Sequence, residues 1–361
     1  MSTAPPATVG AGATGATARP RGSARAARRP VAALWAGLAV LGIAVLVAAV
    51  LGLAVGARSI GPGDVWQALW WPEAGLTDHV VVRELRAPRT LLGLAAGAAL
   101  GIAGALAQAL TRNPIADPGL LGVNAGASLA VVVAITWFGV AAPGGYVVFA
   151  MAGAAAAAVL VYAIGARGRE GEVPVRLALV GAAVTAAATS LISVVLLRDL
   201  ETLERYRLWV VGSLAGREAG ALLALGPLLL AGAVLALLLG GALNTLALGD
   251  DAARALGLRP ARVRAGAGLA VIVLCGAATA LAGPIVFVGL VVSHIARRIT
   301  GPDERWVLAY SIPLGAILLV LADVLGRVIA RPAEIEAGLV VAFLGAPALI
   351  ALVRHGRWSR A

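Results

Sequence analysis

The stretch AGAGLAVIVLCGAATALAGPIVFVGLVVSHIA, residues 265–296, decides how many times this chain crosses a membrane. It can form one long apolar helix, or two helices that meet at Gly283 and Pro284. A proline inside a helix removes a backbone hydrogen bond and clashes with the preceding turn, so the sequence favours a break at this point. The two possibilities give opposite orientations to every segment after residue 296.

The composition of the whole chain is that of a membrane protein. Of its 361 residues, 60% are hydrophobic and 13% are charged, whereas a soluble domain is about half apolar and about a quarter charged. A helix of about 20 apolar residues crosses the hydrocarbon core of a bilayer. The sequence therefore predicts an all-α polytopic membrane protein of about ten transmembrane helices. The predicted segments are 31–57, 91–110, 119–138, 146–165, 174–197, 219–241, 265–281, 284–296, 307–325 and 338–353.

The basic residues choose between the two possibilities. All 29 are arginine, and cytoplasmic loops carry an excess of positive charge. With the break, 19 arginines lie inside and 10 outside; without it, the numbers are 15 and 14. The ten-span arrangement with both termini cytoplasmic is therefore favoured. The net charge of +11 then reflects topology and attraction to anionic lipid, and it does not indicate binding to nucleic acid.

The chain is predicted to form one membrane domain, residues 31–354, between two short cytoplasmic ends. Residues 1–30 are rich in Ala, Gly, Pro and Arg and cannot bury a core, so a disordered basic arm is expected. A signal peptide is the alternative, but the apolar run 31–57 is too long for a signal core. Residues 355–361 form a short tail, and 243–264 is the longest cytoplasmic loop.

A polar group interrupts the apolar stretch ALTRNPIADPGLLGVNAGASLAVVV, residues 109–133. The group is expected at the cytoplasmic mouth of the second and third spans. Asn and Asp before proline disfavour helix at their own positions and can cap the helix that follows. A simple turn between helices explains this group, although the many small residues beside it would also permit close helix packing. We refer to it as the inner-mouth motif: Arg112, Asn113, Pro114, Asp117 and Pro118.

Two long blocks of the sequence carry a resemblance to a known family. RELRAPRTLLGLAAGAALGIAGALAQALTRNPIADPGLLGVNAGAS (83–128) and LAGPIVFVGLVVSHIARRITGPDERWVLAYSIPLGAILLVLADVLGRV (281–328) resemble the signatures of the FecCD, or type II, ABC importer permeases. LWVVGSLAG (208–216) and LGDDAARALGLRPARVR (248–264) follow in the expected order between them. The resemblance implies the type II importer permease fold, with ten spans and both termini inside.

The resemblance also implies a function and a set of partners. Permeases of this family carry iron-siderophores, haem or cobalamin inward, take the substrate from an extracytoplasmic binding protein, and pair with a second permease copy or a paralogue. Two ATP-binding subunits supply the energy. A phosphate-binding P-loop needs a lysine and this chain has none, so ATP and Mg²⁺ are expected on the partner ATPase. We expect no cofactor, metal or catalytic residue on this chain, which makes it a transport subunit and not an enzyme.

The family resemblance transfers two sets of site residues onto this sequence. In the family, the loop corresponding to 243–264 docks on the ATPase; a charged connector is the simpler interpretation of the residues alone. In the cobalamin importers of the family, outward arginines receive carboxylates of the binding protein; contact with lipid headgroups is the simpler interpretation. The docking arginines would be Arg86, Arg89 and Arg327, and the coupling residues would be Leu248, Gly249, Asp250, Ala253, Leu256 and Gly257.

Asp323 is the one acidic residue predicted inside a span. It lies four residues before Arg327, on the same helical face, so a structural pair within the membrane is expected. The alternative is an ion-coupled secondary transporter that uses Asp323 as a proton or sodium site, because intramembrane acids are often functional. A membrane enzyme is disfavoured, since no catalytic constellation of side chains occurs.

The sequence departs from the family pattern at two positions. Ser293 stands before His294 where a proline is usual, and Glu336 stands in EIEAG (334–338) where the family has a proline. The second change leaves the start of the last span uncertain. A lone histidine is a poor metal site, so His294 is expected to bond a neighbouring loop.

Overall fold

The computed structural model describes residues 30–354 except 57, 74, 141–144, 166–172 and 217–218. The basic arm predicted for 1–30, apart from Pro30, and the tail 355–361 lie outside the described residues. Every regular element in the described part is helical. The helices are α1 (Val31–Ala54), α2 (Pro62–Trp70), α3 (Thr77–Val80), α4 (Ala87–Thr111), α5 (Val123–Phe138), α6 (Tyr146–Gly165), α7 (Val173–Leu196), α8 (Leu200–Val210), α9 (Ala219–Ala247), α10 (Asp250–Ala255), α11 (Pro260–Ala282), α12 (Val288–Thr300), α13 (Glu304–Ile329) and α14 (Ala337–Arg354).

Each of the ten predicted segments contains a helix of this fold. Seven helices are long and apolar enough to cross a membrane on length and composition alone, and α5 and α14 are shorter apolar helices. The all-α membrane fold is thus confirmed, while the count of ten crossings and the cytoplasmic termini stay predictions. The predicted loop 243–264 is shorter than expected, because α9 continues to Ala247 and α11 already begins at Pro260.

The chain does break in the stretch that contains Gly283 and Pro284. The helix α11 ends at Ala282, and Gly283 and Phe287 both take a positive φ, of 78° and 68°. A positive φ is incompatible with continuing a right-handed helix. As a result α12 starts four residues later than predicted, at Val288, and has only 13 residues.

The helix α4 forms the centre of the bundle. Together with α3 and a π-helical segment at Val81–Arg86 it makes one helical run of 35 residues, Thr77–Thr111, whose apolar window is 78% buried. It packs against α11, α12 and α13. Small residues permit this contact: a methyl group on Gly97 would overlap the carbonyl of Gly315, and one on Gly104 would overlap the backbone of Gly289. Close backbone approach of this kind is typical of helices packed in membranes.

The helices at the periphery present apolar side chains outward. In α1, whose mean hydropathy is 2.7, only 11% of the apolar window is buried, and Val40 and Leu46 are each about two-thirds exposed. The windows of α6, α7 and α9 are likewise mostly unburied. Surfaces this apolar are stable in hydrocarbon and would aggregate in water.

Candidate functional site

Polar side chains gather at the two ends of α4, and the sites predicted from the sequence fall there. Arg89 lies at the first end, next to the last turns of α13; we call this the Asp323 end. Arg112 lies just after the other end, next to α10; we call this the α10 end. A helix of 25 residues is about 36 Å long, so the two ends do not touch.

Asp323 is the centre of the first group. Its side chain is 2% exposed and forms the expected ion pair with Arg327, with an N–O distance of 3.0 Å. A second arginine, Arg89 of α4, binds the same carboxylate through Nε and Nη2 at 2.8–3.0 Å. Two guanidinium groups therefore neutralise one buried carboxylate. An Asp323 held in this way has no free oxygen face for a transported proton or sodium ion, which argues against ion-coupled transport.

The three arginines predicted for docking all bond to this chain itself. Arg86 is 6% exposed and donates to the carbonyls of Leu53 and Ala54, both at 2.8 Å, and to that of Arg58. Arg327 donates to the carbonyls of Gly52 and Val55 at 2.9 and 3.0 Å. Both arginines thus satisfy carbonyl groups left open at the end of α1, where helices have no internal donors.

Arg89 is the one of the three that reaches the surface. Its Nη1 atom donates to Glu334 Oε2 at 2.6 Å, and the Glu334 side chain is 33% exposed. Arg331 is also on this surface and donates to the carbonyl of Gly56 at 2.6 Å. In the isolated chain a carboxylate therefore already occupies the outward edge of Arg89. The role of Arg86, Arg89 and Arg327 in docking stays a prediction.

Most residues of the segment 248–259, at the α10 end, are exposed. Gly249 and Gly257 flank α10 with φ values of 110° and 82°, a region that side-chain-bearing residues avoid. Leu248 and Leu256 are 69% and 65% exposed, while Ala253 is fully buried against the bundle. The predicted coupling residues thus form a short helix that rests on Ala253 and presents two leucines outward.

Asp250, the first residue of α10, connects this short helix to two long ones. Its carboxylate receives both terminal nitrogens of Arg264 on α11, at 2.7 and 2.9 Å. Arg112, which follows α4, donates to the same carboxylate at 3.1 Å and to the carbonyl of Leu246 at 2.7 Å. The hydrogen bonds from Arg264 hold the pKa of Asp250 below its ordinary value, against a smaller opposite effect of burial.

A second chain of polar contacts lies one layer further into the same end. Asn244 near the end of α9 donates to Asp303 at 2.6 Å and accepts from the backbone N–H of Glu304 at 2.8 Å. Glu304 in turn binds Arg297 of α12 at 2.9 and 3.0 Å, and Arg297 donates to Gln108 of α4 at 3.0 Å. The helices α9, α13, α12 and α4 are joined through these side chains.

The inner-mouth motif divides into two parts. Arg112 is turned toward α10, whereas Asn113 and Asp117 cap the turns that follow, accepting from the N–H groups of Ile115 and Gly119 at 3.1 and 2.8 Å. Asp117 also accepts from the backbone N–H of Phe287. Pro114 lies in the first turn, and Pro118 is the first residue of a short 3-10 helix, Pro118–Leu121. The motif is a turn, as the simpler interpretation held, and it also contacts the break between α11 and α12.

The two departures from the family pattern have local solutions. Ser293 is fully buried and donates to the carbonyl of Gly289 at 2.6 Å, within its own helix. Glu336 directly precedes α14, and its carbonyl accepts from Leu339 at 3.0 Å, so the last helix begins without the proline. His294 does not fulfil its expectation, since among the described residues its buried Nε2 has no hydrogen-bond partner.

Three ionic or polar partners were not predicted from the sequence: Arg89 for Asp323, Arg264 for Asp250, and Gln108 for Arg297. These partners lie 234, 14 and 189 residues apart. One signal was present: a polar side chain in an apolar helix needs a partner, and Gln108 had none nearby in the sequence. Among the described residues, no group of three His, Cys, Asp or Glu side chains could hold a metal ion.

The sequence of this chain is similar to those of known transport proteins. The profile of the FecCD transport family matches residues 44–355. The ferric enterobactin transport system permease protein FepD of Escherichia coli is 48% identical over 279 residues, 77% of this chain and 83% of FepD. The hemin transport system permease protein HmuU of Yersinia pestis is 36% identical over 281 residues, 76% of this chain and 84% of HmuU.

A solved structure shares the arrangement of helices. It shows a metal-chelate type ABC transporter in an inward-facing conformation and superposes with a TM-score of 0.77 at 26% identity. The match covers 89% of this chain and 99% of the solved one. The structural similarity therefore extends over most of the membrane domain.

Proposed function

Since the chain belongs to the FecCD transport family, we propose that this permease subunit of an ABC importer carries an iron-siderophore chelate inward. Family membership makes it a multi-pass protein of the cell membrane and a transport subunit. The siderophore class is our proposal; the 48% identity to the ferric enterobactin permease supports it more strongly than the 36% identity to the hemin permease supports haem.

The observation that carries the coupling part of the proposal is the exposed helix α10. A permease driven by a separate ATPase needs a rigid surface on which that ATPase can act. Leu248 and Leu256 offer exposed apolar contacts, and Asp250 fixes the helix to the bundle. We assign these residues, with Gly249, Ala253 and Gly257, to the contact with two ATP-binding subunits, which makes the α10 end the cytoplasmic one.

The Asp323 end then faces outward, where an extracytoplasmic binding protein would deliver the chelate. The contact between Glu334 and Arg89 supports this assignment, because a carboxylate of the binding protein would take the place that Glu334 holds on Arg89 in the isolated chain. Arg86 and Arg327 would act mainly by holding the end of α1 in place for docking. A second permease copy or a paralogue would complete the pathway, and ATP and Mg²⁺ would be bound by the ATPase.

Uptake measurements test the substrate class. The gene is expressed with its ATPase and binding protein in cells that lack their own siderophore permeases. Import of ferric siderophore and haem labelled with radioactive iron, and of cobalamin labelled with radioactive cobalt, is followed. We expect import of a ferric siderophore, no import of haem or cobalamin, and no import when the ATPase carries an inactive P-loop. Import that survives loss of the ATPase would contradict the proposal, and import of haem alone would contradict the substrate class.

Co-purification tests the contact with the ATPase. Leu248→Ala and Leu256→Ala together remove the two exposed apolar side chains of the α10 segment and should reduce the amount of ATPase retained. The matched control is Leu197→Ala, since Leu197 is 88% exposed and lies between α7 and α8. Equal retention in both variants would rule out α10 as the contact.

A further inference from the structure

We propose that Arg264 and Arg112 are positioning residues that transmit movement of α10 to the central helix α4. The inference rests on the proposed function, in which the ATPase acts on α10, and it identifies how the movement leaves that helix. Neither arginine belongs to the surface assigned to the ATPase. Their partner is Asp250, which belongs to the contact segment but whose side chain is bonded to the bundle and is only 17% exposed.

The first step of the transmission depends on the geometry of Asp250. The helix α10 has only six residues and is flanked by two glycines with positive φ, so its backbone connections alone would let it swing. The side chain of Asp250 is 17% exposed and makes three contacts with arginines of two other segments. A bidentate pair fixes direction as well as distance. The carboxylate therefore joins α10 to α11 and to the end of α4.

The second step concerns Arg112, which holds a costly backbone conformation. Its φ is 48° and its ψ is 31°, in the left-handed region that non-glycine residues rarely adopt. This conformation ends α4 and directs the side chain toward the carbonyl of Leu246 and the carboxylate of Asp250. A conformation of this kind persists only where its surroundings hold it. Here two hydrogen bonds from the Arg112 side chain, one to Leu246 and one to Asp250, hold the backbone conformation.

The third step is that the other side of the α10 segment also leads to α4. Asn244, six residues before Asp250, is bonded to Asp303 and Glu304, and Arg297 continues this contact to Gln108 on α4. Gln108 and Arg112 lie one helical turn apart. Both polar chains thus reach the end of α4, one at Gln108 in its last turn and the other at Arg112 just after it, so α4 receives movement through both.

The test uses the complete importer, reconstituted in lipid vesicles with its ATPase and binding protein. Arg264→Gln and Arg112→Gln are compared with the native chain by the amount of ferric siderophore imported per ATP hydrolysed. We expect this ratio to fall about tenfold, as for contacting residues that share one network, while ATPase retention and hydrolysis continue. Arg264→Lys keeps the charge but not the bidentate fork, so it should recover part of the ratio.

Arg262→Gln is the matched control, because Arg262 is exposed near the start of the same helix α11 and should leave the ratio unchanged. An unchanged ratio in both Arg264→Gln and Arg112→Gln would overturn the inference. Loss of ATPase retention in either variant would also overturn it, since it would place the arginine in the contact surface. If the native importer itself imported no chelate, the proposed function would fail and not this inference.

A distance measurement separates transmission from general stability. Spin labels replace Asp251, exposed on α10, and Ile115, exposed beyond the end of α4. In the native background their separation should be the same with and without ATP, because the two segments move together. In Arg112→Gln or Arg264→Gln the separation should become broad and dependent on ATP. An ATP-dependent separation in the native background would contradict the proposal.

Discussion

The two ends of the bundle each place two arginines around one aspartate, yet the two groups differ in burial. At the Asp323 end, Asp323 and Arg327 are each 2% exposed and Arg89 is 11% exposed. At the α10 end, Asp250 is 17%, Arg264 18% and Arg112 45% exposed. When a charged side chain is removed at the Asp323 end, water does not reach its buried partners. At the α10 end, water can hydrate the partners because they are partly exposed. We therefore expect loss of a charge to cost much more free energy of unfolding in the first group than in the second.

The largest expected effect is the loss of Asp323. In Asp323→Ala, two buried guanidinium groups lose their shared carboxylate, and breaking one side of a buried ion pair costs about 3–5 kcal/mol. The corresponding change at the other end, Asp250→Ala, should cost only about 1 kcal/mol or less, in the range of partly solvated pairs. Unfolding of the purified protein in mixed micelles of increasing SDS content compares the two. Equal losses of stability would remove the distinction between the ends.

A smaller effect is expected where a buried arginine has no carboxylate partner in the described part of the chain. Arg86→Met keeps an unbranched side chain but removes the arginine donor from the carbonyls of Leu53 and Arg58, and leaves the carbonyl of Ala54 with the N–H of Ile60. Hydrogen bonds from charged donors contribute about 1.5–3 kcal/mol each, and water reaching the end of α1 would recover part of this, so we expect a loss of about 2–3 kcal/mol.

Arg83→Met is the matched control for this change. Arg83 lies three residues earlier in the same π-helical segment and is exposed. The same unfolding measurement should show a change within about 0.5 kcal/mol, as for most exposed positions. A loss in Arg83→Met as large as in Arg86→Met would indicate that the substitution disturbs the π-helical segment itself.

The smallest effect is the response of the α10 end to acid. Because the pKa of Asp250 lies below its ordinary value of 3.8, the folded state favours the charged carboxylate. The stability it provides is therefore constant from neutral pH down to about pH 5 and is lost as the pH falls through the lowered pKa. The melting temperature of the native chain should exceed that of Asp250→Asn by a constant margin above pH 5. The margin should vanish in stronger acid, and a margin that grows there would have the wrong sign.

The comparison also marks what the sequence could predict. Apolar length and the Gly283-Pro284 break were enough to locate a helix in all ten segments, because hydrocarbon thickness and proline sterics act locally. The ionic partners could not be located in this way, since Arg89 reaches Asp323 only after 234 residues of chain have folded. The predicted ion pair between Asp323 and Arg327 is present, but Asp323 has a second partner on another helix. A spacing of four residues within one helix cannot reveal such a partner.

Exposure was the second property that the sequence did not give. An arginine occurs at every third position of the segment 83–89, at Arg83, Arg86 and Arg89. On the sequence alone, any of the three could have been an exposed cation. The π-helical segment at Val81–Arg86 turns Arg86 inward and leaves Arg83 outward. The rotation of a helix around its axis depends on packing against α1 and α13, so the burial of each arginine follows from tertiary structure.

The glycine contacts of α4 have a consequence for how this chain can vary. At Gly97 and Gly104 a single added methyl group would meet backbone atoms of α13 and α12, which cannot rotate away as a side chain can. A scan of all substitutions should therefore show a narrow stripe along α4 that accepts no larger residue, beside lipid-facing positions of α1 that accept almost any apolar one. Variants selected for a new chelate would acquire their changes elsewhere, on helices whose side chains can repack.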